Sequence, residues 1–346
     1  MGSGGFARVY KATEIDLHRD VALKLLRPPD VDGQNDTERE SYRQTLIQRF
    51  QREALLLSQL RCPHTVTMHH YGQSHDGLFY MALEYIDGLS LAELLRNGEP
   101  APHVRVVRVL SQVLQSLHEA HSLGMLHRDL KPANIMIYEH LGDADQAKLL
   151  DFGIAKTLGD KPEHRRDLTS DGTLIGTPRY MAPEQIQGRD DIGPAIDIYA
   201  LGLVAYELLV GKRAIEGDSS IHIIGKQLAP ESFRLPDTAE MPLRLRKLVN
   251  RMIEKDLGKR YVSAHAVLTD LADPDLLNPL LQDDSIERGP IDLDPSQVTR
   301  LPNRRLPIPL IGIVVLCVAL VVAGSVMWTQ RTDTVTTVTA TSPVSF

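Results

Sequence analysis

Cysteine is scarce: Cys62 and Cys317 are the only two in 346 residues. Cys317 lies in an apolar run far from Cys62, so no disulfide framework can hold the fold. An excess of basic charge is missing too. The formal net charge of −7 gives no reason to expect a nucleic-acid partner. Thirteen histidines are present, yet His69-His70 and the others lack the spacing of a metal-ligand motif, which leaves no sequence signal for a structural metal.

What is present is concentrated in two motifs. Residues 127–134 read His127-Arg128-Asp129-Leu130-Lys131-Pro132-Ala133-Asn134, and seventeen residues beyond Asn134 begins Asp151-Phe152-Gly153. A phosphoryl group in flight spreads negative charge over oxygens that repel an incoming nucleophile, so hard cations and fixed positive groups must neutralise it. Asn134 and Asp151 offer oxygen ligands suited to Mg2+. Asp129 is left to orient and deprotonate a hydroxyl, and Lys131 can reach the transferred phosphate. Asp-Phe-Gly alone is an ordinary turn; its pairing with the eight-residue loop carries the assignment.

The remaining parts lie in matching order on either side, and with them the chain resembles the Hanks-type, eukaryotic-like protein kinases of bacteria. Gly2-Ser3-Gly4-Gly5-Phe6-Ala7-Arg8-Val9 looks like the glycine-rich loop, where absent side chains let backbone N–H groups approach phosphates. Ala7 stands where the family has a third glycine. Val21-Ala22-Leu23-Lys24 reads as an apolar strand ending in the lysine that clamps the α- and β-phosphates. A lysine in a partly dry cleft needs a partner. Glu53, in the helix-period segment 49–57, is the expected one, with Leu57 facing inward on the same side. Leu57, Met68, His127 and Phe152 together resemble the hydrophobic spine of the family.

The resemblance implies a two-lobed α+β kinase fold with ATP and Mg2+ as cofactors: a small β-rich lobe over about 1–84 and a larger, mostly helical lobe over about 89–272. Adenine is expected against main chain near Glu84 and Ile86, between Val9, Ala22 and Met136. Ser90-Leu91-Ala92-Glu93 has a capping-box pattern. Val104, Val107, Leu110, Leu114, Leu117 and His121 predict a long amphipathic helix leading into the catalytic loop. Residues 197–210 are apolar almost all round, which predicts a buried central helix. Asp197 is expected to anchor the catalytic loop, and Glu184 to pair with Arg260.

Lys131 and Thr177 together resemble the serine/threonine pattern, so protein serine or threonine hydroxyls are the expected acceptors. Arg128 is a cation in the cleft that calls for an anion. Phosphate on Thr169, or failing that Thr173, is the expected regulatory partner, added by autophosphorylation. A pseudokinase scaffold, the competing reading, usually lacks the lysine, the base or the metal aspartate. Lys24, Asp129 and Asp151 are all present.

Beyond residue 272, prolines and acids mark a linker over 273–307. Leu310–Trp328 is a run of nineteen uncharged residues, about 28 Å as a helix, enough for a bilayer core. A single transmembrane helix over 308–328 is expected. Arg300, Arg304 and Arg305 on its kinase side place the kinase in the cytoplasm and the tail 329–346 outside, at the plasma or inner membrane. Ala319 and Ala323 form a small-xxx-small pair on which two spans could pack as a homodimer. Met1 directly precedes the glycine loop, where the family carries about six or seven residues of strand, so an incomplete first strand is expected, with a missed upstream start or a truncated gene as its origin; poor ATP affinity is expected if the chain is this short, and a nonfunctional fragment is the third reading.

Overall fold

The computed structural model describes residues 3–4, 7–26, 36–152, 178–189, 191–238 and 240–278. Contacts divide the chain into Met1–Asp284 and Ser285–Phe346, and every described residue lies in the first unit. The expected span, most of the linker, the tail, Gly2, Gly5, Thr169, Thr173 and Thr177 lie outside the described residues. Among the described residues, no helix is long and apolar enough to cross a membrane.

The chain opens with a five-stranded antiparallel sheet built from β1 (Ser3–Gly4), β2 (Ala7–Glu14), β3 (Arg19–Leu26), β4 (Met68–Gln73) and β5 (Phe79–Glu84), ordered β1-β2-β3-β5-β4. Opposed residues in an antiparallel ladder share a face, as do residues two apart in a strand. Lys24 of β3 pairs with Val9 on one side and Met81 on the other, and Ala22 pairs with Leu83. Val9, Ala22, Lys24, Met81 and Leu83 therefore line one face of the sheet.

Helix α1 (Asp36–Leu57) packs against β4. Leu46, Phe50, Ala54 and Leu57 are buried, a stripe at spacings of three and four that lays the second half of the helix on the core. Glu53 sits on that stripe and is 5% exposed.

From Gly88 a second antiparallel sheet begins: β6 (Gly88–Ser90), β7 (Ile135–His140) and β8 (Asp143–Leu149), in that order. Gly88 thus opens a strand. A side chain there would meet the Ile137 carbonyl oxygen at 2.2 Å. The short helix α2 (Leu91–Leu94) starts with a full capping box, Ser90 accepting the Glu93 amide and Glu93 accepting the Ser90 amide.

Helix α3 (His103–Ser122) leads to the catalytic loop as expected, but its buried face is set differently from the sequence reading. Val104 is 68% exposed, while Val106, Val109, Leu110, Val113, Leu114, Leu117 and Ala120 are buried. The first turn has apolar residues on both sides, so periodicity there does not choose a face, and packing against β8 and the last helix does.

After α4 (Pro183–Ile186), α5 (Ala195–Val210) runs through the centre, with Ile196–Ala205 buried throughout. It ends where Gly211 takes φ +73°, its Cα 's would-be methyl blocked by the Gly98 carbonyl oxygen at 2.2 Å. Helices α6 (Ser220–Leu228), α7 (Leu243–Met252) and α8 (Ala264–Leu271) complete the unit.

Candidate active site

Two clusters of polar residues meet between the sheets. In the first, Lys24 Nζ lies 2.6 Å from Glu53 Oε1 and 2.8 Å from Asp151 Oδ1. Burial opposes the charge of Lys24, but Asp151 and Glu53 together outweigh it and hold the ammonium above its ordinary pKa. Lys24 in turn keeps the Asp151 carboxyl below the usual carboxylate range. One strand residue, one helix residue and one loop residue thus share a single junction of one ammonium and two carboxylates, fixed by the pairing of β3 and the seating of α1.

The second cluster is the loop after α3. Lys131 Nζ donates to Asp129 Oδ2 at 2.7 Å, and Asn134 Nδ2 donates to the Asp129 carbonyl at 2.9 Å. Because its nitrogen is used there, Asn134 presents its amide oxygen on the other side, as a metal ligand must. The two clusters are joined through the backbone: the Leu150 amide donates to the Asn134 carbonyl at 2.8 Å, one residue before Asp151.

Strain marks both clusters. Arg128 has φ +62° and Asp151 φ +42°, a left-handed conformation that costs a non-glycine residue about 1–3 kcal/mol unless its surroundings impose it. At Arg128 the cause is visible. Asp197 Oδ2 accepts from the His127 amide and Oδ1 from the Arg128 amide, both at 2.8 Å, so one carboxylate on α5 grips consecutive peptides. His121 Nε2 adds a third contact at 2.9 Å. Burial pushes the Asp197 carboxyl up, but His121 and the His127 amide more than offset it and leave it below its ordinary range. From the other side, Gln185 Nε2 donates to the Arg128 carbonyl at 2.9 Å.

Behind the loop, His127 and Phe152 are buried with ring centroids 5.0 Å apart. Leu57, Met68 and Phe152 share the main hydrophobic cluster. At the end of β5 the Glu84 carboxylate accepts from Lys148 Nζ of β8 and from the Thr67 amide, while Ile86 packs against the same cluster. Met136 lies on β7 opposite Ser90 and Lys148. Ser3 and Gly4 form β1, paired with Arg8 and Ala7.

Several contacts that shape the site were not foreseen. Glu119 accepts the amides of Arg61 and Cys62, each at 2.8 Å, and Thr65 meets Ser116 at 2.6 Å. Both tie the connection between α1 and β4 to α3. Gln185 and Lys148 were likewise missed, since a glutamine or lysine distant in sequence carries no signal of its partner.

The residues present fit a magnesium nucleotide: two oxygen donors, Asn134 and Asp151, lie beside a lysine suited to phosphate. Comparison with known proteins agrees. The model for the protein kinase domain matches residues 1–271. The chain is 36% identical over 275 residues to the serine/threonine-protein kinase pkn3 of Myxococcus xanthus, covering 78% of this chain and 48% of that protein. It is 33% identical over 282 residues to the serine/threonine-protein kinase PrkC of Bacillus subtilis, covering 80% and 40%. Similarity to the serine/threonine-protein kinase PknB of Mycobacterium leprae is 32% over 275 residues, covering 78% and 41%. The chain spans less than half the length of these relatives. The chain belongs to the protein kinase family, whose members use ATP and Mg2+.

Proposed function

We propose that the protein is a serine/threonine kinase that transfers the γ-phosphoryl group of ATP to hydroxyls of protein substrates. The observation that carries this reading is the joining of two intact clusters, Lys24–Glu53–Asp151 and Asp129–Lys131–Asn134, by the Leu150–Asn134 hydrogen bond. Magnesium-bound ATP supplies the activated phosphoryl group and part of the charge neutralisation. Asn134 and Asp151 would hold the metal. Lys24 holds the α- and β-phosphates, kept charged by its two carboxylates. Asp129 orients the acceptor hydroxyl and takes its proton as the new O–P bond forms and the bond to the leaving diphosphate breaks. Lys131 sits 2.7 Å from that carboxylate, close enough to neutralise the group in transfer.

Gly2, Ser3, Gly4 and Gly5 cover the phosphates in this reading, and Val9, Ala22 and Met136 enclose adenine against the main chain of Glu84 and Ile86. Val9 and Ala22 share the face of Lys24, which supports that placement. Lys131 and Thr177 favour serine or threonine over tyrosine. Phosphate on Thr169 or Thr173, received by Arg128, switches the enzyme on, and in a pair of copies one transfers it from ATP to the other, leaving ADP. A helix over 308–328 anchors the enzyme with its kinase unit in the cytoplasm.

The test is incubation of the full chain with Mg2+ and labelled ATP, beside Asp129→Asn. Loss of one transition-state contact costs roughly 10²–10³ in rate, so the variant should label a generic protein substrate at most at that residual level. Equal labelling by the two proteins would mean a contaminating kinase and end the proposal; none by the wild type while it still binds ATP would end it and favour a scaffold.

A further inference from the structure

Outside the cleft, His118 of α3 and His265 of α8 meet at the surface. Both are exposed, and their ring centroids lie 5.4 Å apart with planes inclined by 31°. Two imidazoles on one tetrahedral ion impose nearly this spacing. With metal–nitrogen bonds of about 2.0 Å and a ring nitrogen about 1.1 Å from its ring centre, the two centres fall about 5 Å apart.

The pair is preset by the fold. On α3 the neighbouring Leu117 and Ala120 are buried, and on α8 so are Ala264 and Val267, so each histidine stands on a helix whose adjacent positions are locked in the core. The core thus fixes both backbone positions, and an ion has only the two exposed rings to order. Nearby acids are engaged elsewhere. Glu119 accepts the Arg61 and Cys62 amides, and Asp270 accepts from the Tyr261 hydroxyl and pairs with Arg251. Among the described residues, no group of three or more His, Cys, Asp or Glu could hold a metal. A site here would take two protein ligands, with water filling the other positions. Neutral imidazoles suit Zn2+, Ni2+ or Cu2+ and not Mg2+, which separates this site chemically from Asn134 and Asp151.

We propose that His118 and His265 form a two-imidazole site for a first-row transition-metal ion that pins α8 to α3. Its consequence is mechanical: α3 runs into the catalytic loop, and α8 is the last described helix before the linker. An ion shared between them stabilises the folded unit by mass action. This proposal is independent of the phosphoryl-transfer reading.

The experiment is equilibrium dialysis of the full chain in detergent against ZnCl2, with excess Mg2+ throughout, for the wild type, His118→Gln and His265→Gln. The wild type should hold one more Zn2+ than either variant, and each substitution should weaken that site at least about 10-fold, since even outer partners of metal ligands are worth that. Without zinc the three proteins should melt together and label substrate equally; with zinc only the wild type should rise, by a few degrees. Equal zinc stoichiometry in all three proteins would overturn the site. So would loss in one variant alone, because it would show that the two rings do not share an ion.

Discussion

At the scale of single residues, His127 shows how a buried ring can fix both geometry and pH response. Its Nε2 contacts the Leu150 carbonyl at 3.0 Å and its Nδ1 the Asp129 amide at 3.3 Å. Only the neutral tautomer with the proton on Nε2 satisfies a carbonyl and an N–H at once. Burial, opposed by Asp197 and the Leu150 carbonyl, leaves the ring below its ordinary pKa. The sign of the linkage follows. Below about pH 6.5 the unfolded chain binds a proton at this residue that the folded chain refuses, so stability is full above that pH and declines as pH falls through it. His64 and His69, also lowered by burial, slope the same way, so the effect of His127 must be isolated by difference. His127→Phe, which loses both hydrogen bonds but cannot titrate, should be less stable than the wild type at pH 7.5. The gap in urea midpoint should narrow as pH drops to 5.5. A gap that stays constant would mean that the ring accepts its proton in place.

At the scale of elements, the pair Glu184–Arg260 holds α4, α5 and the approach to α8 together. Arg260 Nη1 lies 2.6 Å from Glu184 and 3.2 Å from the Ala195 carbonyl. Its Nε donates to the Glu254 carbonyl at 2.6 Å, and Nη2 to the Lys255 carbonyl at 3.2 Å. The guanidinium also lies 4.8 Å from the Tyr199 ring centre. With both side chains almost wholly buried, removing one leaves the other uncompensated, a loss of about 3–5 kcal/mol. Glu184→Leu and Arg260→Met should each fall in that range by chemical denaturation, and the double variant should lose clearly less than their sum. Strict additivity would show that the two charges are solvated independently. This pair was legible because the resemblance to the family implies it. The buried face of α3 was only partly legible, since Val104 and Val106 are both apolar and the choice between them is made by what packs on the helix. Glu119, Gln185 and Lys148 were not legible at all. Their partners are backbone groups or acids brought near by the chain's return, and no local pattern encodes such a return.

At the scale of the whole molecule the contrast is sharper, because a membrane span needs no tertiary partner to be recognised. Length and the absence of charge suffice, and residues 310–328 satisfy both. The pair His118–His265 is the opposite case: it exists only once α3 and α8 have packed. If 308–328 anchors the chain, the full protein should stay with membranes through alkaline carbonate extraction. Charges at mid-span should release it, since each arginine near a helix centre costs about 2.5–3.5 kcal/mol of insertion free energy. Ala319→Arg combined with Val322→Arg should therefore move most of the protein to the supernatant, while labelling activity per molecule in detergent stays at the wild-type level because both residues lie outside the kinase-domain match at 1–271. If the doubly charged protein remained in the pellet, membrane retention would have to come from the surface of the kinase unit or from a partner, and the run of apolar residues would lose its role as an anchor.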